Sequence, residues 1–137
     1  MVKIVLISCV SKKINHISKA KDLYISPLFK KNLAYAKSLN PDKTYILSAK
    51  YGLISLNDSI EPYDKTLNNM KIDEKKEWAE GVLKQLRKVC DLKNDQFIFL
   101  AGNNYRKFLV PHITDYAVPM CGLGIGRQLK WLTEKIK

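Results

Sequence analysis

Continuous apolar, β-branched runs alternate along this chain with stretches of helical spacing. Lys3 to Val10 (KIVLISCV) and Gln96 to Gly102 (QFIFLAG) have apolar middles, the pattern of strands buried on both faces of a sheet. KTYILSA, from Lys43, reads as another strand. YAVPM, from Tyr116, reads as a fourth, which Pro119 either confines to a sheet edge or ends. Between the first two strands in sequence, Ser26 caps a helix that begins at Pro27 and turns Leu28, Phe29, Leu33, Ala36 and Leu39 inward before Asn40-Pro41 stops it. Asp73 opens a second helix with Ala79, Val82, Leu83, Leu86 and Cys90 on one face. A short helix is expected over about Tyr105 to Val110, and a last one carries Leu129, Leu132 and Ile136 inward. The polar stretch Ser11 to Lys21 and the segment from Lys50 to about Met70 read as loops.

Strands alternating with helices imply an α/β fold, because parallel strands need right-handed crossovers. The expectation is a three-layer α/β/α sandwich with a four-stranded parallel sheet in the order 2-1-3-4. The 137 residues form one domain, 1–137, without repeat or linker.

Composition narrows the classes. A hydrophobic content of 46% supports a core, and no run approaches the ~18 apolar residues of a membrane span. The N-terminal MVKIVLISCV is too short and too β-branched for a signal peptide, so a cytoplasmic protein with no membrane partner is expected. Cys9, Cys90 and Cys121 are far apart and only His16 and His112 accompany them. That argues against a disulfide framework and a zinc site, and neither a metal nor another cofactor is expected.

Charge adds a partner. The net charge is +11, and residues 1–50 hold ten lysines against Asp22 and Asp42. Such asymmetry favours a polyanion, most simply nucleic acid, DNA or RNA, or a nucleotide. The competing explanation is a biased composition rich in lysine and poor in arginine. The oligomeric state is not readable from the sequence.

In an open parallel sheet, ligands bind beyond the carboxyl ends of the strands, where the strand order reverses. The polar residues fall at those ends. The first strand delivers Ser8, Cys9, Lys12 and Lys13; the second delivers Ser48, Lys50, Tyr51 and Gly52; the third delivers Gly102, Asn103 and Asn104; the fourth delivers Cys121 and the turn GLGIGR, with Gly124, Gly126 and Arg127. Tyr24 and Ser26 mark a helix start that offers N–H groups to an anion. Glu61, Tyr63 and Asp64 lie in a loop of an otherwise basic chain, where a carboxylate can activate water. Each has a plainer reading as well. Cys9 fits a small buried hydrophobe, the lysines fit solvated loop charges, GLGIGR fits a tight turn, and Asp64 fits an Asx-type turn.

The blocks ISCVSKK, AKDLYISPLF, LSAKYGLI, EPYDKTL and GIGRQLKWL occur in that order. With them the chain resembles a family of small bacterial and phage domains of unknown function over nearly its whole length. Cys9, Lys13, Tyr24 and Ser26 are also distantly similar to the catalytic segment of archaeosine synthases, with Phe29 in place of a histidine. The expected architecture is similar to the uracil-DNA glycosylase fold and to YaaA-type DNA-binding proteins. These resemblances imply work on a nucleobase in DNA or RNA.

The function expected is therefore cleavage or exchange at an N-glycosidic bond, glycosylase-like base chemistry that needs no metal. Asp64 would activate water or offset the oxocarbenium charge, Asn103 would read the base edge and Tyr51 would stack on it. Lys13, Lys50 and Arg127 would hold flanking phosphates, with Cys9 or Lys13 as a nucleophile in a variant of the reaction. The contrary expectation is a non-catalytic nucleic-acid- or nucleotide-binding module with a basic rim.

Overall fold

The computed structural model describes residues 2–8, 16–24, 26–63 and 65–136. At its centre lies β1 (Lys3–Ser8), in which Ile4, Val5, Leu6 and Ile7 are all fully buried. It pairs in parallel with β3 (Lys43–Ser48) on one side and β6 (Gln96–Leu100) on the other. A strand bonded along both edges and covered on both faces has no place for a polar side chain, which is why its sequence does not alternate.

Successive side chains point to opposite faces, so β1 feeds two cores. Ile4 and Leu6 join Leu47, Phe97 and Phe99 against Val82, Leu83 and Leu86 of α3 (Ile72–Val89). Val5 and Ile7 join Ile46 and Ile98 against Phe29 and Ala36 of α2 (Pro27–Ser38) and Leu132 of α5 (Ile125–Lys135). Ser26 Oγ accepts the Phe29 N–H at 3.2 Å to start α2. Asn40, at φ 49°, turns the chain out of the helix ahead of Pro41.

The sheet has five strands, not four, in the order β4-β3-β1-β6-β7. The added strand, β4 (Gly52–Ser55), runs antiparallel to β3. It falls in the segment expected to be a loop. GLIS alternates only weakly, and its hairpin is held by a local turn at Ser48 together with a tertiary contact from Gln85. Ser48 Oγ accepts the N–H groups of Lys50 and Tyr51 at 3.3 and 3.0 Å. Gln85 of α3 accepts the Leu53 N–H at 2.8 Å and donates to the Tyr51 and Leu53 carbonyls at 3.4 and 3.5 Å. A helix side chain thereby covers the backbone of an edge strand that would otherwise be open.

Two further segments expected to be loops are zipped together. β2 (Ser18–Lys19) pairs antiparallel with β5 (Ser59–Ile60). The Ala20 and Lys21 N–H groups, at the start of α1 (Ala20–Leu23), donate to the Asp58 and Leu56 carbonyls at 2.8 and 2.9 Å. At the far edge, β7 (Asp115–Ala117) pairs with β6 and stops short of Pro119. No helix among the described residues is long and apolar enough to cross a membrane.

Gly52 is the position where this arrangement leaves no freedom. Its φ is +75°, and a Cβ there would sit 2.4 Å from Gln85 Oε1. Gly52→Ala is therefore expected to lower stability by about 1–3 kcal/mol, measured by urea denaturation. A loss no larger in Gly52→Ala than in an exposed control such as Gly81→Ala, where nothing lies within 4 Å of the added carbon, would contradict it.

Candidate functional site

β1 and β6 are neighbours in the sheet, yet the chain leaves them toward opposite faces. After β1 it goes on to α2, packed on one core. After β6 it enters α4 (Asn103–Arg106) and Tyr105, packed on the other. Divergence of adjacent crossovers opens a crevice at the carboxyl ends of the two strands. Ser8 Oγ, at the end of β1, accepts the Gly102 N–H at 3.2 Å and ties the floor together.

Two adjoining hollows occupy this crevice and share Ser8, Leu28, Gly102, Asn103 and Gln128. The smaller, about 300 Å³, reaches Asn32, Arg106 and the Met120–Leu123 turn. The larger, about 450 Å³, is walled by Pro27, Phe29, Tyr105, Ile125 and Leu129. Both lie in the size range of small-molecule sites.

Three polar side chains of the cleft are held by protein partners. Arg106 Nη1 donates to the Ala101 carbonyl at 3.0 Å, and its Nη2 lies 3.8 Å from Cys121 Sγ. Gln128 Nε2 donates to the Leu123 carbonyl at 2.8 Å. Asn104 is braced between the Asn68 carboxamide at 2.6 Å and Lys75 Nζ at 3.1 Å. The exposed Asn103 side chain faces both hollows and makes no hydrogen bond among the described residues. Asn32 differs from all of these. It is 3% exposed, and its Oδ1 has no hydrogen-bond partner among the described residues.

A chain of rings backs the apolar wall. Phe29 packs on Tyr24 with ring centres 5.0 Å apart, and the hydroxyls of Tyr24 and Tyr63 lie 2.6 Å from each other. Tyr63 in turn meets Tyr51 edge-on at 5.7 Å. Tyr63 thus ties its loop to the rings behind the apolar wall, while neither Glu61 nor Tyr63 lines either hollow.

Of the residues expected to form a site, Ser8, Ser26, Gly102 and Asn103 line the cleft, and Tyr24, Tyr63 and Tyr51 lie behind Phe29. Ser48 and Gly52 shape the β3–β4 turn. Lys50 stands over the Tyr51 ring at 5.2 Å and borders a separate shallow hollow with Lys65, Glu74 and Glu77. Glu61 is exposed. Gly124, Gly126 and Arg127 are exposed at the start of α5 and line neither hollow of the cleft, which takes Ile125 and Gln128 from that turn instead. Cys9, Lys12, Lys13 and Asp64 lie outside the described residues. The start of α2 offers less to an anion than expected, since Pro27 has no N–H and Ser26 already takes that of Phe29.

Asn32, Arg106 and Gln128 are the cleft residues that sequence patterning missed. Asn32 did leave a signal: it falls three residues after Phe29 and four before Ala36, a polar side chain in the inward stripe of a helix. Arg106 and Gln128 leave none, because only the fold turns them toward the crevice. Burial pushes up the Tyr45 hydroxyl and the Cys90 thiol, and hydrogen bonds led by the Asn94 side chain hold exposed Asp91 below the usual carboxylate range.

Comparison with known protein families matches residues 4–134 of the chain. The chain belongs to the family of unknown function DUF6884. The matched span contains both hollows and the tyrosines behind them. No curated protein and no solved structure matches the chain. Among the described residues, no group of three or more His, Cys, Asp or Glu side chains is arranged to hold a metal ion.

The tyrosine pair that returns the loop can be tested directly. Tyr24→Phe and Tyr63→Phe are each expected to cost about 0.5–1.5 kcal/mol, with the double variant costing less than their sum. Chemical denaturation of all four proteins measures the coupling. Strictly additive losses would show that the two hydroxyls do not hold each other.

Proposed function

We propose that this protein is a nucleic-acid-directed enzyme acting on a nucleobase or nucleotide held in the β1–β6 cleft, by cleavage or exchange at an N-glycosidic bond. The observation that carries the reading is the pairing of two unlike hollows. One presents carboxamides and a guanidinium, and the other an apolar wall around Phe29, Ile125 and Leu129. A nucleobase has the matching character, with hydrogen-bonding edges and apolar π faces. The net charge of +11 supports a polyanionic carrier for that base, and a base within a duplex would be flipped out to reach the cleft.

In the hydrolytic form, water adds to the anomeric carbon as the bond to the base nitrogen breaks. The base leaves with the electron pair and gains a proton, while Asp64 takes the proton of the water or offsets the oxocarbenium charge. Asn103, exposed at the junction of the hollows, reads the base edge, and the apolar wall at Ile125 and Leu129 receives its face. Lys13, Lys50 and Arg127 serve flanking phosphates.

A second reading, a non-catalytic nucleotide- or nucleic-acid-binding module, is favoured by one fact. The described lining of the cleft contains no carboxylate.

Incubation with modified and unmodified DNA and RNA, followed by mass spectrometry of released or altered bases, decides between them. A catalyst releases or exchanges a base, Asp64→Asn lowers turnover about 10²–10⁴-fold while binding persists, and Asn103→Ala weakens binding. Salt-dependent binding with no altered base favours the module. Weak binding to every nucleic acid at low salt removes both readings.

A further inference from the structure

We infer that Arg106 is the anion-binding residue of the cleft. Its guanidinium takes the phosphate of a nucleotide into the smaller hollow, and the base of that nucleotide lies in the larger one against Ile125 and Leu129. This deepens the nucleobase reading and rests on it.

Arg106 lines the 300 Å³ hollow and is half-buried. A guanidinium has five N–H donors. Among the described residues, Nη1 donates to the Ala101 carbonyl at 3.0 Å and Nη2 approaches Cys121 Sγ at 3.8 Å. Neither partner is a carboxylate, and the described lining of the hollow contains none. The Ala101 contact orients the fork and leaves its other N–H groups for a ligand. A cation partly withdrawn from water and without a counter-charge draws an anion, and the planar fork suits phosphate oxygens in particular. Ser8 adds a hydroxyl to the same hollow. Its Oγ accepts the Gly102 N–H at 3.2 Å, and its own O–H makes no bond among the described residues.

The larger hollow has a different character. Pro27, Ile125 and Leu129 give it an apolar wall, and Ile125 is 67% exposed. Its Asn68 and Asn104 side chains are bonded to each other at 2.6 Å. A flat ring laid on the wall covers apolar surface that water otherwise meets. The two hollows share Ser8, Gly102, Asn103 and Gln128, so one ligand can span them. Gln128 spends Nε2 on the Leu123 carbonyl and keeps its own carbonyl oxygen, an acceptor suited to a sugar hydroxyl. Guanidinium, carboxamides and apolar wall thus follow one another in the order of phosphate, sugar and base. The reverse placement would set the anion against the apolar wall and leave Arg106 without a counter-charge.

Isothermal titration at constant ionic strength tests this by comparing adenosine, guanosine, uridine and cytidine with their 5′-monophosphates and with ribose 5-phosphate. The proteins are the wild type, Arg106→Ala, Arg106→Gln, which keeps an N–H for the Ala101 carbonyl, and Ile125→Ser. Arg87→Ala, exposed in the last turn of α3, removes the same charge away from the cleft. The urea midpoint of each confirms that folded proteins are compared. The wild type is expected to bind at least one monophosphate about tenfold or more tighter than its nucleoside. Both Arg106 variants are expected to lose that preference, and Arg87→Ala to keep it. Ribose 5-phosphate is expected to displace the monophosphate from the wild type, and Ile125→Ser to weaken the monophosphate while leaving ribose 5-phosphate unchanged. A matching trinucleotide without terminal phosphates identifies the source. If it binds and both Arg106 variants lose it, the phosphate belongs to a strand; if only the monophosphate binds, it belongs to a free nucleotide or a strand end.

A preference for the monophosphate that survives in either Arg106 variant overturns the inference, as does an equal loss in Arg87→Ala. So does a wild type that binds nucleosides without preferring their monophosphates, or whose bound monophosphate ribose 5-phosphate fails to displace. Equal weakening of monophosphate and ribose 5-phosphate by Ile125→Ser overturns the assignment of base to the apolar wall. In each of these cases the nucleobase reading stands. A wild type that binds neither nucleoside nor monophosphate overturns both.

Discussion

Everything in this molecule depends on the parallel pairing of β1 with β3 and β6. Because β1 is bonded on both edges, its side chains are left to serve two cores, and the helices that cover them must lie on opposite faces. That requirement sends the chain one way after β1 and the other way after β6. The crevice between them is thus a by-product of burying Ile4 to Ile7. The Ser8 to Gly102 hydrogen bond holds its floor at the point where the two crossovers part.

The rest of the structure protects that arrangement. β4 extends the sheet beyond β3, and Gln85 then occupies the backbone groups of β4. The β2–β5 pair and the Tyr24–Tyr63 contact fasten a segment with little hydrophobic content of its own to the start of α2. These ties are local and polar, so each contributes modestly. Their shared effect is positional: they hold Phe29 and the start of α2 against the mouth of the cleft.

The cleft combines tension with readiness. Arg106, Gln128 and Asn104 are each held by a protein partner, which fixes their orientation before any ligand arrives. Preorganisation of this kind reduces the cost of binding. Asn103 makes no hydrogen bond among the described residues, and Asn32 is buried with its Oδ1 unpaired among them, on a helix face that packing alone would have made apolar. Local rules of burial fail at that one point, and such failures mark function more often than error.

The sequence by itself determined the strands of the parallel sheet and the long helices that cover it. KIVLIS and QFIFL could only be buried strands, Ser26-Pro27 could only begin a helix, and the spacing of Val82, Leu83 and Leu86 showed which face of α3 turns inward. It also showed which chain ends carry polar groups, and so that Ser8, Gly102 and Asn103 belong near one another. What the tertiary structure decided is everything that depends on partners distant in sequence. β4 exists because Gln85 accepts the Leu53 N–H from across the fold, and β2 exists because β5 lies beside it. The same fold admits Arg106 and Gln128 to the cleft while leaving Gly124, Gly126 and Arg127 outside it, because a helix start exposes only part of its circumference to any one neighbour. Hydrophobic pattern is a property of consecutive residues; the facing of a polar side chain is a property of the assembled layers.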